Sequence, residues 1–126
     1  MLAEALNAGQ ELTLDVEYQG VLLDELAKGV FRLRDTQSWY PQAGSGGRAT
    51  YEATFRWPRK HELLASGRIV EEGLDGDTRW QKRSLDVPVI GVSFEYGACD
   101  IHVARAGHVD LTVAFDGPRS DRPRSA

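Results

Sequence analysis

Ala49-Thr50-Tyr51-Glu52-Ala53-Thr54-Phe55-Arg56-Trp57-Pro58 is the stretch on which the fold class turns. From Ala49 to Trp57 every odd position is apolar or aromatic and every even one is polar, a period of two that only a strand buried on one face can use. Working outward, further strands are expected over roughly 11–19, 29–34, 63–72, 77–85, 89–96, 99–105 and 108–116. Turn signals at Gly20, Gly44 to Gly47, Gly73 to Asp77, Gly97 and Gly107 separate them. About eight short strands at this spacing define an all-β chain, an antiparallel β-sandwich. Three sets of alternate residues are the expected core: Leu12, Leu14, Val16 and Tyr18; Ile90, Val92, Phe94 and Tyr96; Val109, Leu111, Val113 and Phe115. Asp75-Gly76 suits a tight hairpin turn, because glycine adopts φ > 0 without a steric cost. Only Leu22 to Ala27 suggests a helical turn, and a single turn is too short to stand without packing.

The chain has 126 residues, a net charge of −4 and one cysteine. That length suits one domain, able to bury roughly two thirds of its unfolded surface without disulfide staples. Residues 1–116 read as the sandwich domain. Gly117 to Ala126 is rich in Pro, Ser and Arg without apolar periodicity, and reads as a disordered tail or interdomain linker. The mild acidity is not blocked into runs, so neither nucleic acid nor an anionic membrane is expected as a partner. Met1 to Ala8 lack the basic and apolar regions of a signal peptide, and nowhere is there an apolar run of the ~18 residues that spans a membrane. A soluble domain is expected, with no compartment specified. Cys99, being single, forms no intramolecular bridge and points to neither redox compartment.

Side chains able to do chemistry are few and poorly arranged. Cys99, Asp100, His102 and His108 are close in sequence, but on a strand Cys99 and Ile101 face one way while Asp100 and His102 face the other. A cross-strand pair of His102 with His108 is sterically feasible around a Gly107 turn, without a supporting shell to orient it. No serine sits in a nucleophile elbow. Gly44-Ser45-Gly46-Gly47 lacks the lysine and following helix of a phosphate cradle and reads as a loop. Arg56, Arg59, Lys60 and His61 cluster around Pro58 and read as a solvated strand end. Trp57 continues the Tyr51 and Phe55 face and is assigned to the core. Trp39, Tyr40 and Trp80 remain as a candidate binding surface, since aromatic rings stack on sugars and peptide groups. A freestanding carbohydrate- or protein-binding sandwich is therefore one reading.

A second reading comes from resemblance. Gly9-Gln10-Glu11-Leu12-Thr13-Leu14-Asp15-Val16-Glu17-Tyr18-Gln19-Gly20 resembles a strand of the N-terminal β-sandwich of aminopeptidase N-type zinc metallopeptidases. Trp39-Tyr40-Pro41, the strand ending at Pro58, Ala65-Ser66-Gly67, Trp80, Pro88 and Phe94-Glu95-Tyr96-Gly97 resemble further pieces of that domain, and they follow in the family's order. An acidic "D-E-P" follows Trp-Tyr-Pro in the more familiar members; here Gln42 to Gly47 stand instead, so the chain is similar to the divergent bacterial type. The resemblance implies a noncatalytic accessory domain that packs against a catalytic peptidase domain, walls its substrate cleft and, once separated from it, tends to self-associate. The family's zinc helix lies in a following domain. His61-Glu62 begins such a motif, but Ala65 stands where the second histidine is needed. No catalytic residue, metal ligand or cofactor is assigned to this chain.

Overall fold

The computed structural model describes residues 5–34, 39–41 and 47–116. Within them the protein is all-β and antiparallel, with nine strands: β1 (Leu23–Ala27), β2 (Val30–Leu33), β3 (Ala49–Pro58), β4 (Glu62–Ala65), β5 (Arg68–Asp75), β6 (Thr78–Val89), β7 (Phe94–Gly97), β8 (Cys99–Ala106) and β9 (Val109–Asp116). They form a four-stranded sheet ordered β1-β2-β7-β4, a three-stranded sheet ordered β3-β6-β5, and a β8-β9 hairpin. The proposed tail and Gly44 to Gly46 lie outside the described residues.

The alternation in β3 is used as its sequence requires. Tyr51, Ala53, Phe55 and Trp57 turn toward the four-stranded sheet, while Thr50, Glu52, Thr54 and Arg56 are exposed. Phe55 meets Phe94 of β7 edge-on with ring centroids 5.3 Å apart, and Arg79 and Arg83 of β6 reach Glu62 and Ala65 around β4. So β7 lies over β3 and β4 over β6. The core between them holds Leu33, Trp57, Leu63 and Val92, with Val30 also buried.

The β5–β6 hairpin turns at Gly76 and Asp77, as the Asp-Gly signal implies, with Asp75 opposite Thr78 and φ of +58° at Gly76. Elsewhere the chain departs from expectation. Residues 11–19 form no strand; Leu12, Leu14, Val16 and Tyr18 are exposed. Their alternation supplies an amphipathic surface, but a strand is stabilised only by a partner ladder, and none of these residues has one here. Leu22 to Ala27 contain β1, not a helical turn: Ala27 pairs Val30 across Lys28-Gly29, where φ at Gly29 is +80°, and sheet pairing overrides helix propensity. The expected strand 63–72 is two, broken at Ser66-Gly67 where the chain crosses between sheets. The expected strand 89–96 begins only at Phe94, leaving Ile90 exposed. Val109, Leu111 and Val113 lie on β9 as expected but are exposed, because β9 pairs with β8 alone.

Candidate functional site

Two of the three aromatic residues marked as a binding surface come together. Trp39 stands edge-on to Tyr40 and Phe94 at 5.0 and 5.6 Å, and its indole N–H donates to the Val92 carbonyl at 2.8 Å. The Tyr40 and Tyr51 hydroxyls are hydrogen-bonded to each other, and the Tyr18 hydroxyl donates to the Trp39 carbonyl at 2.5 Å. Trp39 and Tyr40 are each half-buried and close one end of the sandwich. Trp80 is set apart on the outer face of the three-stranded sheet. Its indole covers Gly73 so closely that a Cβ there would approach it to 2.8 Å, and a shallow groove beside it is lined by Arg59, Glu72, Leu74 and Arg79.

The histidines do not converge. In the hairpin His102 lies opposite Val113, and His108 sits in the turn that joins Ala106 to Val109. Ala106 lies four positions along the strand from His102, roughly 13 Å of rise, so the two imidazoles are not cross-strand neighbours. Among the described residues there is no cluster of three or more His, Cys, Asp or Glu able to hold a metal. His61 lies in the turn before β4, with its ring 5.7 Å from Tyr96 and its Nδ1 buried without a hydrogen-bond partner. Its carbonyl accepts the Trp57 indole N–H at 3.0 Å. His61 thus packs in the structure, as does Glu62, which takes Arg79 through both oxygens at 2.9 Å.

Sequence reasoning missed a polar layer inside the sandwich. Central strands usually bury apolar side chains, yet β6 turns Arg79, Gln81 and Arg83 inward. Gln81 is buried and donates to Glu72 at 2.8 Å. Arg83 donates to Gln81 at 2.8 Å, to the Ala65 carbonyl at 2.7 Å and to the Gly67 carbonyl at 2.9 Å. Burial lowers the pKa of its guanidinium, and the Glu72 charge raises it in part; arginine still stays charged at ordinary pH. The one available signal was Arg79-Trp80-Gln81-Lys82-Arg83 itself, whose inward-facing register is polar. Arg83 fastens the corner where β4 passes into β5. Arg83→Met should cost about 1–3 kcal/mol, since two carbonyls and Gln81 lose a donor; urea unfolding reads it.

On the surface, the Asp86 carboxyl is held below its usual pKa, first by the Ser84 hydroxyl at 2.6 Å and then by Arg68. It is fully exposed, so its pairing is solvent-screened.

No helix among the described residues is long and apolar enough to cross a membrane. No protein-family model, curated protein or solved structure matches the chain.

Proposed function

We propose that this protein is the noncatalytic N-terminal accessory domain of an aminopeptidase-like zinc metallopeptidase, and that it packs against the catalytic domain and walls its substrate cleft. The observation that carries the reading is the β8–β9 hairpin. Ala104, Ala106, Val109, Leu111 and Val113 share one of its sides by register, and Leu111 is 50% exposed; on the other side Val103 is 70% exposed. A hairpin that lives in water needs no such surface, whereas interdomain contacts bury roughly 600–1,500 Å² of it. Trp39 and Tyr40, two residues of the candidate binding surface, are largely occupied with each other and with Phe94. The hairpin is the better docking element.

The test is calorimetric titration of this domain with the separately expressed catalytic remainder of the metallopeptidase. Binding at micromolar concentration is expected, weakened at least tenfold by Val113→Asp. No heat at high micromolar concentration would overturn the reading. It would favour the freestanding binding module, for which the Trp80 groove, lined also by Arg59 and Leu74, offers the stacking surface.

A further inference from the structure

Four strands face three, with β7 over β3 and β4 over β6, so β1 and β2 reach past the edge of β3, although Leu33 of β2 is buried. β3 has no partner on that side among the described residues. The incompleteness shows in the burial. Tyr51, Ala53 and Phe55 point inward from β3 yet remain only half-buried, as do Leu23 and Phe31 on the facing sheet. An open edge of ten residues, with an apolar floor on one side, is a template for one more strand.

The same chain carries a segment of the complementary kind. Glu11 to Tyr18 alternates acidic or hydroxyl residues with Leu12, Leu14, Val16 and Tyr18. It forms no element of structure, and Leu14 is 68% exposed. Placed beside β3 with the apolar side inward, it would cover the half-buried floor. Glu11, Asp15 and Glu17 would then lie on the outer face, where Arg56 is exposed and has no ion-pair partner among the described residues, with Arg48 at the start of the same edge. Charge and hydrophobicity agree on one orientation of the strand's faces.

We infer that the β3 edge is a strand-acceptor site whose occupant is Glu11 to Tyr18 of a second copy, exchanged reciprocally in a two-fold dimer. Residues 11–18 form no ladder with β3 of their own chain, and the segment's end is held by the Tyr18 hydroxyl on the Trp39 carbonyl. Donor and acceptor are therefore vacant together, and a two-fold exchange fills both at once. Two inserted strands of about eight residues each, with four apolar side chains apiece, bring the contact into the range of roughly 1,200–2,000 Å² typical of stable complexes. This inference does not depend on the metallopeptidase reading, because it uses β3 and residues 11–18 and not the β8–β9 hairpin.

The test is sedimentation of the full chain from about 1 to 100 μM, together with hydrogen exchange of the 12–18 amides. A dimer with those amides protected is expected. Leu14→Asp and Val16→Asp change exposed residues and leave the monomer folded; each should weaken dimerisation at least tenfold. Arg56→Glu should weaken it as well, and mixing that variant with Glu17→Lys should recover part of the loss. A monomer at all concentrations would overturn the inference, whether the 12–18 amides are unprotected or protected by return of the segment to its own β3. A dimer indifferent to Leu14→Asp and Val16→Asp would also overturn it, and would direct attention to the β8–β9 hairpin. Calorimetric docking by way of Val113 remains a separate result in every case.

Discussion

Gly97→Ala should be the most damaging single-methyl change in the protein. Gly97 is buried in β7, opposite Val30 of β2 and Glu62 of β4, so backbone flanks it on both sides. A Cβ at this position would lie 2.1 Å from the Gly29 carbonyl oxygen and 2.7 Å from the Val30 Cα. Neither is the end of a flexible side chain. The φ of +155° at Gly97 adds a conformation that other residues rarely adopt. To admit the methyl, β2 and β7 must separate, which also pulls on the Ala98 N–H bond to the Gly29 carbonyl at 2.9 Å. We expect a loss of about 3 kcal/mol or more, a large share of the ~5–15 kcal/mol that holds a domain together. Thermal unfolding followed by circular dichroism would read this as a fall in Tm of roughly 10 °C or more. Gly20→Ala, where nothing lies within 4 Å of an added Cβ, is the control. Equal melting temperatures for the two variants would show that β2 and β7 are not packed as described.

What the sequence disclosed follows from what local patterning can encode. β3 was legible because an alternating strand of ten residues specifies both its class and its buried face, and the Gly76 turn was legible because its chemistry is local. The N-terminal segment shows the limit. Leu12 to Tyr18 has the same alternation as β3, but whether it pairs depends on which edge is within reach, and periodicity holds no information about that. β1 shows the converse: Leu22 to Ala27 has helix-forming residues, and the pairing of Ala27 with Val30 decides otherwise. Of the candidate site, Trp39 and Tyr40 meet as neighbours in sequence can, whereas the distance of Trp80 from them follows from strand parity, since even positions of β6 face outward. The inward Arg79, Gln81 and Arg83 were illegible for a related reason. A polar inward face reads as a solvated one until Glu62, Glu72 and the Ala65 and Gly67 carbonyls are seen to satisfy it.

Trp57→Ala tests whether the two sheets are joined at the end of β3 in the way these contacts imply. The Trp57 side chain is 6% exposed, and three different interactions meet on it. Its ring fills the core, its indole N–H holds the His61 carbonyl at 3.0 Å, and the Arg79 guanidinium lies 5.5 Å from its centroid. Arg79 in turn is bidentate to Glu62 at the start of β4. The indole therefore ties β3, the turn at His61 and the first residue of β4 into one unit. Removing it leaves a cavity, an unpaired carbonyl and an arginine that has lost its aromatic cover, and we expect a loss of about 3–5 kcal/mol. Trp57→Phe keeps an aromatic ring and deletes the donor, and should cost closer to ~1 kcal/mol. The ratio of the two separates packing from hydrogen bonding. Urea unfolding of both variants beside the parent provides the measurement. If Trp57→Phe proves as harmful as Trp57→Ala, the bond to the His61 carbonyl, not the filled core, is what joins the sheets; if neither matters, β3 does not end in a core.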